Sequence, residues 1–533
     1  MGPSTPTPPP GVPPRPGGWS QPPYGPYGPY GPPGPPGPPG PYPTQPLAMQ
    51  APRPVSLISD RFWRRPLGRG LTPRPAVLAG SLAAGVVAAS TLTAPAGVQW
   101  TVLIAVMAWT VAGSARRPRS RSDSLLLALV VGLGVVFAVR GSDGILVLSV
   151  LAALGLGGLL AVGGRSWPAV FLTPLVLMVD AFRALPWTWH GLRRWRLPRG
   201  GIGWARGLVV TIVVVWICGA LLASADSAFA GLLAKIVPEV ELGTVPMRVV
   251  LGTIVTGLTL CLAFAASVPP RWSTVARARR PGPVAEWLLP VVAVGVLLAA
   301  FLAVQAAELF DAYPQTLVHG HATPAERTRQ GFGQLVLVTL LAALLLGWAA
   351  RRCDRARPRD ARLLLGGGGP LLVLVLVLVA SALRRLWLYE EAFGWTVLRL
   401  DVGVFELWLG VMIAAIGVAW LLQRTAMVPR LVVASAAVVL LGLGLAGPDA
   451  LVASWNVDRF QRTNKIDLGY LQQLSADAVP ALTRLPQPLR ACVLRYRDTD
   501  PDPWYAANVS RLRAKALLRA EPNSVSVEDC NSR

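Results

Sequence analysis

Charged side chains are scarce in this sequence: they make up 14% of its 533 residues, whereas soluble proteins carry about a quarter. Hydrophobic residues make up 53%. This balance excludes an ordinary soluble protein and indicates that lipid surrounds most of the chain. The formal net charge of +23 does not indicate a nucleic-acid partner, because the basic residues lie between apolar runs and do not form one basic surface.

Cysteine and histidine are also scarce, with five and three residues, and no two cysteines have the CxxC spacing of a zinc or redox site. His319 and His321 lie near acidic residues, but without a helical HExxH spacing an ordinary polar loop is the favoured interpretation. No arrangement of serine, cysteine or carboxylate residues specifies a nucleophile or an acid–base pair. We therefore predict no metal, no cofactor and no catalytic residue. For Cys492 and Cys530, which share the C-terminal segment, a disulfide and two free thiols both stay open.

The N-terminal segment is rich in proline and glycine. Glycine recurs at every third position between Tyr24 and Tyr42, but these triplets are few for a stable collagen helix, so we predict a disordered polyproline-II tail. The basic and aromatic residues that follow are typical of a juxtamembrane anchor at an anionic inner leaflet. We assign residues 1–75 to a cytoplasmic tail that is a candidate binding segment for protein partners. It contains no signal-peptide pattern, so we expect the first membrane helix to direct insertion.

Apolar stretches dominate the rest of the chain and predict an all-α bundle of about eleven transmembrane helices, because roughly 20 apolar residues span the hydrocarbon core. A further apolar run at residues 167–182 contains Pro168 and Pro174 and leads into a basic stretch, so we interpret it as interfacial or re-entrant. The eleven predicted spans are residues 76–94, 99–115, 124–139, 145–163, 207–224, 248–267, 284–305, 331–350, 370–387, 402–422 and 429–447.

The distribution of arginine predicts the orientation in the membrane, because cytoplasmic loops carry the excess of basic residues. With a cytoplasmic N-terminus, every predicted inner segment is basic, and an odd number of crossings places the C-terminus outside. The inner arginines are Arg116, Arg117, Arg119 and Arg121, then Arg193, Arg194 and Arg196, then Arg277, Arg279 and Arg280, and finally Arg351, Arg352, Arg355 and Arg357.

These assignments divide the chain into a tail, a bundle and a small outer domain. The transmembrane bundle covers residues 76–447, and a helical extracytoplasmic domain covers residues 448–520. In this domain we predict two amphipathic helices around a proline-containing link, packed on the outer loops or the membrane surface. Residues 521–533 are predicted to be disordered. The outer domain is a second candidate surface for protein partners.

The densest group of unusual residues lies at the predicted outer ends of the ninth and tenth spans. Glu406 falls inside an apolar helix, where an ionisable group is costly unless it has a partner or a function, and Arg399 or Arg385 is the expected partner. One interpretation is a structural ion-pair network, and the other is a site for a proton, an ion or a substrate. Asp226 and Asp180 are weaker candidates of the same kind. The full candidate cluster is Arg385, Tyr389, Glu390, Glu391, Arg399, Asp401 and Glu406, with Asp226.

Short motifs in and after this cluster resemble a family of uncharacterised bacterial multi-pass membrane proteins that is common in actinobacteria and catalogued as a domain of unknown function. The motifs are RLWLYEEAFGWT at residues 385–396, LASAD at 222–226, WNVD at 455–458, DLGYL at 467–471 and LSADAVPAL at 474–482. The resemblance implies a membrane location and an outer placement of these motifs. It implies no reaction, no substrate and no catalytic residue.

Three functions stay open at this point. The favoured hypothesis is a non-enzymatic scaffold or sensor of the bacterial cell envelope, because it accounts for both the tail and the outer domain. The second is a transporter or permease that uses the charged residues near Glu406, although no inverted repeat or pair of broken helices is visible. The third is an intramembrane enzyme acting on envelope precursors.

Overall fold

Helices account for nearly all of the described chain. The computed structural model describes residues 72–520 except for 117, 119, 195–200, 227–228, 230, 232–243, 273–280, 310–323, 355, 423–426 and 496. No strand occurs among these residues, which confirms the predicted all-α class. The proline-rich part of the predicted tail and the predicted C-terminal segment 521–533 lie outside the described residues.

Twelve helices follow one another through the part of the chain predicted to form the bundle. Within the described ranges they are α1 (Pro75–Thr91), α2 (Val98–Ser114), α3 (Arg121–Val139), α4 (Asp143–Val162), α5 (Trp167–Arg194), α6 (Gly201–Ala225), α7 (Val245–Ser267), α8 (Val284–Leu309), α9 (Pro324–Arg352), α10 (Pro358–Phe393), α11 (Val397–Leu421) and α12 (Val428–Ala446).

Shorter helices follow and form what we call the cap. The cap comprises α13 (Pro448–Thr463), α14 (Leu468–Gln473), α15 (Val479–Leu482), α16 (Leu489–Leu494) and α17 (Val509–Ala520), with two 3-10 turns at Ala476–Ala478 and Trp504–Ala506.

The helix boundaries follow ordinary capping chemistry. Proline occupies the first turn of α1 and of α10. It is tolerated there because backbone N–H groups in the first turn have no acceptor within the helix, so the N–H that proline lacks costs no hydrogen bond. Ser120 and Asp123 form a reciprocal capping box at the start of α3. Gly163 ends α4 in the left-handed conformation, with φ of 69°.

Length and composition identify the chain as an integral membrane protein. Among the described residues, nine helices are long and apolar enough to cross a membrane, namely α3, α4, α5 and α7 to α12. The apolar helices α1 and α2 are shorter, with 17 residues each. Helix α6 coincides with the predicted fifth span and is apolar over most of its 25 residues.

One end of the bundle brings together the ends of several helices. Three hydrogen bonds join them: Arg74 Nη1 to Gly113 O (3.0 Å), Ser267 Oγ to Ser114 O (3.3 Å) and Trp272 Nε1 to Val162 O (2.9 Å). We call this end the basic face, because the exposed arginines Arg116 and Arg121 also lie there.

Helix α5 lies along the basic face. Near this end of the bundle, Thr173 of α5 lies close to Gly158 of α4, and the Trp187 ring contacts the Phe264 ring of α7. Gly191 lies close to Pro73, which precedes α1. A 28-residue helix is about 42 Å long, so a crossing helix would leave this face within a few turns. The opposite side of α5 exposes apolar residues such as Phe171 and Phe182. The interfacial or re-entrant placement of residues 167–182 stays a prediction, since α5 is long and apolar enough to cross a membrane.

The bundle helices pack in two groups. Helices α1 to α5 and α7 pack together, with α12 against α3 and α4, whereas α8 to α11 share a separate hydrophobic core around Trp287, Leu371 and Val375. Helix α12 also contacts α11 and joins the two groups.

The cap has a hydrophobic core of its own, which includes Val457, Leu471 and Leu482. Trp395 of the turn between α10 and α11 and Leu400 of α11 pack against this core. The prediction of two amphipathic helices was wrong: five shorter helices and two 3-10 turns fill the described part of this region. Proline is the physical reason for part of this division, because beyond the first turn it removes a backbone hydrogen bond and destabilises a helix.

Candidate functional site at the junction of bundle and cap

The turn between α10 and α11 has a conformation that only glycine adopts without strain. Gly394 ends α10 with φ of 90° and ψ of 164°. A Cβ atom at this position would lie 2.9 Å from the Asn456 side-chain oxygen. The side chain of Thr396 then accepts a hydrogen bond from the Arg399 N–H (3.4 Å) and caps the start of α11.

Helix α13 of the cap binds this turn through the Asn456 side chain. Its amide nitrogen donates to the Trp395 carbonyl (2.8 Å), and its oxygen accepts from the Trp395 N–H (3.1 Å). The rings of Trp395 and Trp455 lie 4.5 Å apart, and Arg459 Nε donates to the Glu391 carbonyl (3.1 Å). Both polar groups of the Trp395 backbone are thus satisfied by the cap.

A second residue of the cap, Tyr470, binds the same turn. Its hydroxyl accepts a hydrogen bond from the Val397 N–H at 2.7 Å. Burial raises the pKa of the Tyr470 hydroxyl above its usual value, so the group stays neutral at physiological pH. Asp467 holds Tyr470 in place by capping α14 at the Tyr470 N–H (3.0 Å).

Two residues of the predicted charge cluster stabilise this turn from the bundle side. The Arg399 guanidinium lies 4.4 Å from the centre of the Tyr389 ring and donates to the Gly394 carbonyl (2.7 Å). Arg385 is half-buried on α10, and the Glu391 side chain is exposed. The arrangement therefore favours the structural interpretation for Arg399 and Tyr389.

Three carboxyl groups of the cluster are inside the protein. Glu390 is 3% exposed, Glu406 is 0% exposed, and Asp401 is half-buried. Within the described part of the chain, both oxygens of Glu406 and one oxygen each of Glu390 and Asp401 have no hydrogen-bond partner. These are costly arrangements, so they are the strongest sign of a function in the cluster.

The predicted pairing of Glu406 with Arg399 or Arg385 is absent from the structure. Arg399 and Glu406 are seven residues apart on α11, which separates their backbones by about 10 Å along the helix axis. Arg399 binds the turn, whereas Glu406 belongs to the buried side of α11 with Leu409 and Ile413.

A second contact region joins the cap to the turn between α3 and α4. Asp477 accepts from the Gly141 N–H (2.9 Å), and its other oxygen lies 3.8 Å from Arg140. Asp449 accepts from the Ser142 hydroxyl (3.2 Å) and from the Ser475 N–H (2.8 Å). Asp449 and Asp477 were not among the site residues predicted from the sequence. The only available signal was the position of Asp477 inside the motif at 474–482.

A third contact region joins the C-terminal part of the cap to α2 and α3. Asn508 donates to the carbonyls of Phe137 (2.8 Å) and Arg140 (2.7 Å) and thereby satisfies the end of α3. Arg511 donates to the Ala96 carbonyl (2.7 Å), and the Val98 N–H donates to the Ala507 carbonyl (3.0 Å). The cap therefore binds three separate turns at the end of the bundle opposite to the basic face.

The sequence motifs meet at these contact regions. The motif at 385–396 contains the turn at Trp395, and the motifs at 455–458 and 467–471 supply Asn456 and Tyr470, which bind this turn. The motif at 474–482 supplies Asp477, which binds Gly141. The motif at 222–226 does not join them, because α6 makes no extensive contact with α10 or α11 among the described residues. Asp226 lies exposed at the end of α6.

No metal-binding cluster of three or more His, Cys, Asp or Glu residues occurs in the described ranges. The loop with His319 and His321 lies outside them. Cys492 of the cap is disulfide-bonded, whereas Cys218, Cys261 and Cys353 are free. The one remaining cysteine, Cys530, lies beyond the described residues.

Long apolar helices, with a cap that polar side chains attach to one end of the bundle, define an integral membrane protein of the all-α class. Residues 127–485 match the family described as a domain of unknown function, DUF4153, and the chain belongs to this family. The match covers more than half of the chain and includes every motif named above. Neither a curated protein nor a solved structure matches the chain.

Proposed function

We propose that this protein crosses a bacterial cell membrane about eleven times, with a cytoplasmic N-terminal tail and the cap as an extracytoplasmic domain. Two observations support this orientation. The predicted inner arginines Arg116 and Arg121 lie at the basic face, opposite to the cap. The disulfide at Cys492 fits an oxidising compartment outside the cytoplasm.

In this orientation the protein acts as a non-enzymatic scaffold or sensor of the cell envelope. The observation that carries this proposal is the attachment of the cap to three turns of the bundle through the side chains of Asn456, Asp477 and Arg511. A ligand or protein partner that shifts the cap would displace the ends of α2, α3 and α11 with it. The proline-rich tail provides the second binding segment, on the cytoplasmic side.

A transporter is the second candidate function, and one observation favours it. Glu406 is fully buried in α11, with no hydrogen bond to either oxygen among the described residues. On neighbouring helices of the same bundle group, Ser381 donates to the buried Gln305 side chain (2.9 Å). Buried ionisable and polar groups of this kind line proton and ion pathways in membrane proteins.

A comparison of two variants distinguishes these functions. In a strain that carries only the variant protein, we expect deletion of residues 1–54 to reproduce the envelope defect of complete gene deletion, and Glu406→Gln to leave the envelope intact. In proteoliposomes with a membrane potential, we expect wild-type protein to pass no more protons than empty vesicles, as measured with a trapped pH-sensitive dye.

The control variant is Glu391→Gln, which changes an exposed glutamate near the end of α10. Proton flux that persists in Glu391→Gln and disappears in Glu406→Gln would reject the scaffold and establish the transporter. Protein levels in the membrane must be equal in all strains.

A further inference from the structure

A long cavity of about 270 Å³ lies between α2, α3, α4 and α7. Helix α2 lines it from Trp100 to Ala115, a distance of about 22 Å at 1.5 Å per residue. The hydrocarbon core of a bilayer is about 30 Å thick, so the cavity runs through most of the membrane. A narrow space of this length fits an extended chain better than a compact molecule.

The lining of this cavity, which we call the groove, is apolar. It consists of aliphatic and aromatic side chains with several alanines and Gly157, and among the described residues Asp123 is the only charged one that lines it. Such a surface offers a ligand almost no hydrogen bonds, so hydrocarbon is the chemistry that it selects.

The two ends of the groove differ. At the end near the cap, Trp100 stacks on Phe137 with the ring centres 5.1 Å apart, and the neighbouring Val98 N–H is bonded to Ala507 of the cap. This end of the groove therefore lies next to the cap. The other end lies at Ala115 and Asp123 on the basic face.

The end of the groove at the basic face has an excess of positive charge among the described residues. Asp123 accepts from Arg430 at 2.8 Å and lies 3.8 Å from Arg165, whose side chain is 61% exposed. Arg116 follows Ala115 directly and is exposed. Two guanidinium groups thus flank the Asp123 carboxylate, and Arg116 lies exposed on the same face, which makes this end of the groove complementary to an anionic headgroup.

We propose that this groove binds one acyl chain of an anionic phospholipid, whose phosphate lies beside Arg116 and Arg165. The chain fills the space between α2, α4 and α7, and its end lies beneath the cap. This assignment is independent of whether the protein is a scaffold or a transporter.

Gly157→Leu tests the proposal by filling the groove. Gly157 lines the groove, and a Cβ atom there would meet nothing within 4 Å, so the new side chain starts in open space at the wall of the groove. The matched control is Gly155→Leu on the same helix, which also meets nothing within 4 Å but is exposed outside the groove.

The measurement is the thermal unfolding midpoint of the delipidated protein in non-ionic detergent, titrated with phosphatidylglycerol or with phosphatidylcholine of the same acyl chains. A lipid that binds the folded protein raises the midpoint saturably. We expect phosphatidylglycerol to raise it in wild type and in Gly155→Leu, more than phosphatidylcholine does, and we expect this difference to vanish in Gly157→Leu. An unchanged response of Gly157→Leu would overturn the proposal, as would equal responses of wild type to both lipids.

A second pair of variants tests the headgroup contact. Arg116→Gln and Arg165→Gln leave the groove open, and each should weaken phosphatidylglycerol binding about five-fold, since one basic residue near an anionic headgroup contributes about 1 kcal/mol. Binding of phosphatidylcholine should stay constant. Unchanged phosphatidylglycerol affinity in the double variant would contradict the proposed phosphate position. A larger midpoint shift with a polyprenyl phosphate than with phosphatidylglycerol would overturn the phospholipid as the occupant.

Discussion

Gly97→Ala is expected to push the cap away from the bundle and to lower the stability of the folded protein by about 1–3 kcal/mol, as overpacking of a tight contact does. An added Cβ atom at Gly97 would lie 2.6 Å from the carbonyl oxygen of Ala507 and equally close to the carbonyl carbon of Ala506. These are backbone atoms, which cannot rotate out of the way as a side chain can. The neighbouring hydrogen bond from Val98 to Ala507 would lengthen or break as a result.

The same substitution at the other end of α2 provides the control. Gly113 belongs to the same helix, and a Cβ atom there would meet nothing within 4 Å. We therefore expect a lower thermal unfolding midpoint and faster protease cleavage of the cap in Gly97→Ala, and neither effect in Gly113→Ala. Equal midpoints for the two variants would contradict the close approach of cap and bundle.

Asn456→Ala is expected to release α13 from the turn between α10 and α11. The substitution removes three hydrogen bonds, two to the Trp395 backbone and one to the Val452 carbonyl (2.9 Å). Because the half-buried N–H and carbonyl of Trp395 would then lack partners, we expect a loss of about 2–4 kcal/mol. The specific measurement is hydrogen exchange at the Trp395 amide, which should become much faster.

Gln473→Ala is the matched control, because it removes an exposed amide whose hydrogen bond stays within α14, to Gly469 (3.2 Å). It should leave both the midpoint and the Trp395 exchange rate at their wild-type values. A slow Trp395 amide in Asn456→Ala would show that another group holds the turn.

The sequence was sufficient to predict the features that depend on local composition. Long apolar runs indicated the helical class and the positions of most bundle helices, because a backbone in lipid must satisfy its hydrogen bonds within each helix. Two prolines and the basic residues that follow indicated that residues 167–182 differ from the other spans. That interpretation stays a prediction, because α5 is one of the nine helices long and apolar enough to cross a membrane among the described residues.

Contacts between distant residues were beyond the sequence. Asp477 binds Gly141 across 336 positions, and nothing near either residue indicates the other. Glu406 illustrates the same limit at short range: the cost of a charge inside an apolar helix indicated that it needs a partner, but not that Arg399 instead binds the Gly394 carbonyl. The motifs at 455–458 and 467–471 were recognisable as motifs, whereas their common target, the turn at Trp395, appeared only in the structure.

The central claim is that the cap and the basic face lie on opposite sides of the membrane, with the cap outside. Single cysteines test it directly in a protein whose three free cysteines are replaced by alanine. Gln473→Cys reports on the cap, and Ala356→Cys reports on the turn at the opposite end of α10; both positions are exposed. We expect a membrane-impermeant maleimide to label Gln473→Cys in intact cells, and Ala356→Cys only after permeabilisation. Labelling of Ala356→Cys but not Gln473→Cys in intact cells would contradict the account.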